Sequence, residues 1–160
     1  MLDFIRDLLK HCEWANAIFF HAWGKSTARD NEEVRRRVEH IIGVQQGFLS
    51  VLCGQPPEGP SEGPPAPFDV LKTRAEACHQ GLGKFASTLD PGTLKRTVRI
   101  PWFPDPACVI SVAEALVQVA MHSQHHRGQC MTRLKDFGGE PKNVDWIIWL
   151  WKQKPPARWN

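Results

Sequence analysis

The sequence lacks the features of several common protein classes. Its five cysteines form no C-x-x-C pair and are odd in number, so we expect no disulfide framework. The first residues, MLDFIRDLLKHCEW, carry acidic side chains where a secretory signal has a basic start followed by an uninterrupted apolar run. No apolar stretch approaches the roughly 18 to 20 residues of a membrane span. These absences predict a cytoplasmic protein with no membrane partner.

The sequence also lacks a strong excess of charge of one sign. The formal net charge is +3, and the basic residues are scattered apart from the run Arg35-Arg36-Arg37, which a solvated helix face explains. A balance this mild does not favour a nucleic-acid partner. With 160 residues, of which 42% are hydrophobic, the chain 1–160 fits a single domain with one sizeable core.

The amino-terminal third of the chain predicts two long helices. Apolar residues recur at helical spacing from Asp3 to about Lys25, with Asp3 as a plausible N-cap. A second helix is predicted from Asp30, where Asp30 and Glu33 approximate a capping box, to about Cys53.

A long loop rich in proline and glycine follows the second helix. Residues 54–67, GQPPEGPSEGPPAP, cannot form the interior of a helix or sheet. In extended polyproline geometry they would span roughly 40 Å, enough to return the chain along a long helix. We therefore predict a crossover loop that lets helices two and three run parallel. The third helix is predicted from about Phe68 to Leu89, before Asp90-Pro91-Gly92.

The carboxyl-terminal half predicts little strand and two further helices. Partial alternation from Leu94 to Ile100 predicts a short strand or hairpin. Helix four is predicted to begin at Ser111, which forms a capping box with Glu114, and to continue to Phe137. A short final helix, about Val144 to Lys152, contains the cluster WIIWLW. Four long amphipathic helices with two long connections predict an all-α fold, a helical bundle of antiparallel type.

Helix four carries histidines within its predicted apolar face. That face comprises Val112, Leu116, Val119, His122, His126, Cys130, Leu134 and Phe137. The i, i+4 spacing places His122 and His126 about 6 Å apart and pointing inward, as two nitrogen ligands of one metal ion would be. The alternative is a polar patch without metal, in which both rings need hydrogen-bond partners. A third ligand would favour the metal, and spacing prefers His40 only modestly among the candidates His11, His21, His40 and His79.

Several neighbouring side chains have both a functional and a structural interpretation. His125 is rotated by about 100° from His126 and is the weaker ligand candidate. Glu39 adjoins His40 but points away from it by a similar angle. Arg127 could anchor an anionic substrate group or form a structural tie, and Cys130 is expected to be an inert core residue. The Trp-rich segment 146–151 could line a pocket, form a dimer contact or close the core. Three amides could support the ligands or simply lie on helix surfaces: Asn16, Gln45 and Gln129.

Four motifs, in order, resemble a known family. They are EWAN at Glu13–Asn16, a histidine within VEHIIGVQQGFL, the element H-x-x-x-H-R-G-Q at His122–Gln129, and the closing VDWIIWL. Together they resemble the DinB-like (DinB/YfiT) family of metalloproteins over essentially the whole chain. The H-x-x-x-H-R-G-Q element is the most specific of the four.

The resemblance implies a fold and a metal site. It implies an up-down-down-up four-helix bundle, which agrees with the parallel helices two and three expected from the long crossover. It also implies a divalent metal ion, nickel or zinc, held by His40, His122 and His126, and it implies a homodimer.

The resemblance leaves open whether the chain is a metal-dependent enzyme or a non-catalytic protein. Three imidazoles leave open positions on a divalent ion, as in reactive metal sites. The family includes thiol-dependent transferases and isomerases that use low-molecular-weight thiols. We therefore expect a metal-dependent enzyme, a hydrolase or thiol S-transferase acting on a small-molecule substrate, with its catalytic acid or base unidentified. The alternative is a non-catalytic metal-binding or structural homodimeric bundle.

Overall fold

The computed structural model describes residues 1–59 and 62–160, and this part of the chain is mostly helical. The helices are α1 (Leu2–Gly24), α2 (Glu32–Leu52), α3 (Phe68–Ser87), α4 (Pro91–Lys95), α5 (Val112–Asp136) and α6 (Trp146–Trp151). The strands are β1 (Thr97–Pro104) and β2 (Ala107–Ser111), which pair as an antiparallel hairpin. This composition agrees with the all-α prediction and with the predicted hairpin. None of the described helices is long and apolar enough to cross a membrane.

The starts of the long helices show which predicted caps are used. Ser111 and Glu114 form the predicted capping box at the start of α5. The predicted caps of the first two helices are wrong. Asp3 lies in the first turn of α1, and Asp30 ends a one-turn 3₁₀ helix, so that the side chain of Asn31 accepts the Val34 N–H and caps α2.

The predicted crossover loop connects α2 to α3. Residues 60 and 61 of the predicted loop 54–67 lie outside the described residues, and its remaining described positions contain no helix or strand before Phe68. The predicted end of the third helix is two residues late, since α3 ends at Ser87. Asp90 then accepts two backbone N–H groups and caps the short helix α4, which the sequence analysis did not predict.

Two apolar clusters form the main core, with buried polar residues between them. One cluster includes Ile5, Leu82 and Leu116, and the other includes Trp23, Ile42 and Leu71. Along each of the four long helices, at least one buried polar residue lies between members of the two clusters. We call this set the polar layer: Asn16, Gln45, His79, Ser123 and Arg127.

Hydrogen bonds across helices satisfy much of the polar layer. The Arg127 guanidinium donates to Asn16 Oδ1 over 2.8 Å, so the Asn16 amide nitrogen faces His79 Nε2 at 2.8 Å. Gln45 donates to the Ser123 hydroxyl over 2.9 Å. These bonds connect α1 with α3 and α5, and α2 with α5, without using a carboxylate. Burial lowers the pKa of Arg127.

The Trp-rich helix α6 closes one side of the molecule. Trp149 is 1% exposed, packs in a cluster with Trp14 and Ala15, and donates its indole N–H to the Pro155 carbonyl. Trp151 on the same helix is 73% exposed. Core closure, one of the three interpretations of segment 146–151, therefore holds for Trp149.

Candidate metal centre

Three histidine rings from α2 and α5 meet at one point. One ligand atom from each of His40, His122 and His126 lies within 4.8 Å of the others. The ring centroids form a nearly equilateral triangle, with separations of 4.9 Å, 4.9 Å and 4.4 Å. The structure thus brings the i, i+4 pair on α5 together with His40 of α2, and not with the other candidates for a third ligand.

The remaining histidines are engaged elsewhere or exposed. His11 is buried, with its Nε2 atom 2.8 Å from the Val144 carbonyl oxygen. His79 belongs to the polar layer, and burial lowers its pKa to about 3. His21 is exposed on α1. His125 is exposed on α5, where Gln129 Nε2 lies 3.1 Å from its Nε2 atom.

The predicted inward direction of the α5 pair is only partly correct. His122 and His126 are half-buried and His40 is exposed, so the cluster lies at the edge of the helix interface. The fully buried face of α5 passes instead through Ser123 and Arg127. This difference leaves the cluster accessible from solvent while the polar layer lies behind it.

Burial and the neighbouring imidazoles keep the His40 and His122 rings in the neutral form that can bind metal. Desolvation, and then the neighbouring histidines, lower the pKa of His122 to about 4. Desolvation, followed by the effect of His126, also lowers the pKa of His40. At neutral pH both rings are therefore neutral, which is the protonation state a metal-ligating imidazole requires.

The orientation of His126 is set by Gln129. Gln129 Oε1 accepts a hydrogen bond from Arg37 over 2.6 Å, and a guanidinium can only donate, so this atom is the amide oxygen. The same oxygen lies 2.8 Å from His126 Nδ1, which must therefore carry a proton and donate. In the neutral ring, Nε2 then keeps its lone pair, which is free to bind a metal ion.

A comparison with known protein families identifies the family of this chain. A sequence model of the DinB family matches residues 6–157, which is nearly the whole chain. The chain belongs to the DinB family. No curated protein and no solved structure gives a significant match. Membership of the DinB family confirms the resemblance stated on the four motifs, and the matched range includes all three clustered histidines.

The residues present fit a divalent ion in this DinB-family chain. The Nε2 atoms of His40 and His122 face each other at 3.1 Å. Two nitrogens bound at about 2.1 Å to one tetrahedral ion would lie about 3.4 Å apart, so only a small adjustment is needed. His122 Nδ1 is buried and has no hydrogen-bond partner among the described residues. With Nε2 bound to a metal ion, Nδ1 would carry the ring proton, so the described residues leave this ligand without the second hydrogen bond that usually orients a metal-binding histidine.

Other candidate residues have structural roles in the structure. Arg127 is buried in the polar layer, which supports the structural interpretation over an anchor for a substrate anion. Burial raises the pKa of Cys130 to about 12, as expected for an inert core thiol. Glu39 forms an ion pair with Arg74 at 3.0 Å. Of the three amides considered, only Gln129 contacts the cluster, since Asn16 and Gln45 lie in the polar layer.

The contribution of Arg37 differs from the expectation for the run Arg35–Arg37. A run of this kind predicts a solvated helix face, yet Arg37 orients the Gln129 amide. The signal was its position one helical turn before His40, which places both side chains on the same face of α2.

Proposed function

We propose that this chain is a divalent-metal-binding protein of the DinB family and acts as a metal-dependent enzyme on a small molecule. His40, His122 and His126 would hold the ion, with three imidazole nitrogens as its protein ligands. The single observation that supports this proposal most strongly is the convergence of these rings from two helices. Imidazole ligands suit zinc and nickel, the two ions expected from the resemblance.

The chain's own residues would prepare this site for chemistry. Gln129 and Arg37 hold one ligand ring in a single tautomer, and the polar layer keeps α2 and α5 facing each other through Gln45 and Ser123. When bound, a divalent ion with open positions supplies Lewis acidity to a water, a thiol or a carbonyl group. We propose thiol-dependent transfer or hydrolysis as the reaction class, with a low-molecular-weight thiol as a candidate substrate.

A non-catalytic metal-binding or structural role is the second candidate. It is favoured by the pairing of Glu39 with Arg74, because this pairing engages the carboxylate adjacent in sequence to His40. A general base must be free to accept a proton close to the reacting group. In this alternative the ion would support folding or dimerisation of the bundle.

We propose an up-down-down-up four-helix bundle, formed as one domain over 1–160. Between α2 and α3, Glu39 pairs with Arg74, and Leu49 approaches Gly81. The sequence numbers of the contacting residues increase together, as they do in parallel helices. The sequence numbers of contacting residues also increase together for α1 and α5, since Asn16 contacts Arg127 and, just beyond the ends of the two helices, Thr27 contacts Phe137. By contrast, Arg6 contacts the end of α3 and Phe20 its start, which supports antiparallel packing of these helices.

We further propose a homodimer formed through the outer face of α6. Ile147 and Trp151 are 65% and 73% exposed and lie one turn apart on this helix. Phe4 of α1, 51% exposed, contacts the neighbouring Trp146. An exposed apolar patch of this kind is typical of an interaction surface. Sedimentation equilibrium of wild type and Trp151→Glu tests the dimer. The cytoplasmic location stays a prediction.

Metal analysis of protein purified without a histidine tag tests the proposed function. We expect about one zinc or nickel ion per chain in the wild type and loss of the ion in His40→Ala, His122→Ala and His126→Ala. His21→Ala is the matched control, because this exposed histidine lies on α1 and outside the cluster. Wild-type protein without metal after dialysis against zinc or nickel would refute the proposal. Turnover or binding of a thiol by the loaded protein separates the enzyme from the non-catalytic alternative.

A further inference from the structure

A groove runs along the exposed face of α2 and reaches the histidine cluster. Its volume is about 1150 Å³, and α2, α3, the hairpin and residues 57–59 line it. Of the three clustered histidines, His40 lies in its wall, and Trp102 of β1 lies in the wall farther along α2. The groove therefore joins the candidate metal centre to an aromatic side chain on another element.

Two glycines of α2, Gly43 and Gly47, line the groove between His40 and Trp102. A Cβ atom added at Gly43 would meet nothing within 4 Å, and one added at Gly47 would lie 3.7 Å from the Trp102 ring. Gly43 and Gly47 follow His40 by three and seven residues, so all three share one face of the helix. Any larger side chain at Gly43 would enter the groove between the histidine and the tryptophan.

The far end of the groove presents apolar surface. Trp102 is 40% exposed although its ring packs edge-to-face on Phe48, with centroids 5.1 Å apart. Pro57 and Pro101 lie beside it in the groove wall. An indole that is held by a neighbour and still partly open to solvent offers contact area at low entropic cost.

The two arginines that line the groove are paired within the protein, whereas the exposed Glu58 in its wall is an anion. Arg74 donates to Glu39 and Gln46, and Arg36 pairs with Glu32 at 2.8 Å. Each of these cations already has a carboxylate partner, so the groove favours an uncharged occupant over an anionic one.

We propose that this groove is the substrate channel of the metal centre and takes an elongated molecule with a metal-binding head and an uncharged aromatic or aliphatic tail. This inference rests on the proposed function. The head would bind at the histidines, and the tail would lie over Gly43 and reach the Trp102 ring, which covers Gly47. Seven residues separate His40 from Gly47, so the occupant spans about 10 Å at 1.5 Å per residue.

Two thiol probes with the same head and different tails test the channel on cobalt-loaded protein. Ethanethiol reaches the metal only, whereas the tail of 4-phenylbutane-1-thiol extends along the groove. Both are titrated without oxygen, and binding is followed by the thiolate-to-cobalt absorption band. We expect the wild type to bind the phenyl-tailed thiol at least tenfold more tightly than ethanethiol.

Substitutions within and beside the groove separate the channel from general hydrophobic attraction. We expect Trp102→Ala and Gly43→Leu each to weaken the phenyl-tailed thiol at least fivefold and to leave ethanethiol within twofold. Leucine is also a better helix former than glycine, so Gly43→Leu is not expected to unfold α2. Phe103→Ala is the matched control, because this exposed aromatic residue follows Trp102 on β1 and does not line the groove. It should leave the binding of both probes unchanged.

The outcomes distinguish this inference from the proposed function. If the wild type takes up no cobalt, zinc or nickel, the proposed function fails and the channel fails with it. If cobalt binds but neither thiol produces the band, or if both groove variants bind the phenyl-tailed thiol as the wild type does, the channel is refuted and the metal centre stands.

Discussion

Replacing Gln129 by alanine should weaken metal binding although Gln129 is not itself a proposed ligand. The substitution removes the oxygen that accepts from His126 Nδ1 at 2.8 Å and from Arg37 at 2.6 Å. The His126 ring then loses the bond that fixes its orientation and tautomer. Loss of such a partner typically costs 10- to 100-fold in metal affinity, which corresponds to about 1.4 to 2.7 kcal/mol.

The same loss should appear in the thermal stability of the metal-loaded protein. With free zinc well above both dissociation constants, the metal-induced stabilisation falls by the full difference in binding free energy. For a chain of this length, 1 kcal/mol shifts the unfolding midpoint by roughly 2 to 4 °C. We therefore expect the zinc-induced rise in Tm to be smaller by about 3 to 11 °C in Gln129→Ala. Chelator competition measures the affinity, and calorimetry measures Tm.

Two variants control for side effects of the change. Gln129→Glu keeps an oxygen that accepts from both partners and should hold zinc at least as tightly as the wild type. Gln124→Ala removes an exposed glutamine from the same helix and should change nothing. If Gln129→Ala binds zinc within twofold of the wild type while His126→Ala loses it, the argument from the fixed tautomer is wrong.

Three further predictions concern stability. The pKa of His79 is about 3 in the folded chain and near 6.5 in the unfolded chain. Between these pH values the unfolded state binds more protons than the folded state. The free energy of unfolding therefore falls as the pH falls, by up to about 5 kcal/mol in total. Urea unfolding at pH 7 and pH 5 should show a smaller loss in His79→Gln, and equal losses would contradict the assignment. Ser111→Ala should lower the free energy of unfolding by about 1 kcal/mol, and Ser111→Asp should restore it. Trp149→Ala should cost about 3 to 5 kcal/mol, whereas the same change at Trp151 should cost under about 0.5 kcal/mol in the monomer.

Local signals in the sequence were sufficient to predict most of the helices and two of the three clustered histidines. The capping box at Ser111 was predictable because both of its partners lie within one turn. The start of α2 was not, since Asp30 and Asn31 are both good caps and the 3₁₀ turn before α2 decides between them. The pairing of His122 with His126 follows from their i, i+4 spacing.

The third histidine and the buried face of α5 depend on packing between helices. His40 reaches the pair only because α2 lies against α5, and the spacing of residues along either helix does not show which helices pack together. The resemblance to the family implied His40 as the third ligand instead. Ser123 and Arg127 are buried because Gln45 and Asn16 provide hydrogen-bond partners from other helices, so a helical wheel of α5 alone places the histidines too deep.

The polar layer also restricts how the helices can slide against one another. The hydrophobic effect is non-directional, so apolar contacts alone specify the alignment of two helices less strictly than directional bonds do. A shift of one turn would leave the Gln45 amide nitrogen or the Arg127 guanidinium desolvated and unpaired. The contact of Gln45 with Ser123 lies next in sequence to His122. The polar layer thus fixes the alignment of α2 against α5, and with it the position of His40 relative to the α5 pair. This alignment is set in the interior, at the residue that follows His122 in sequence.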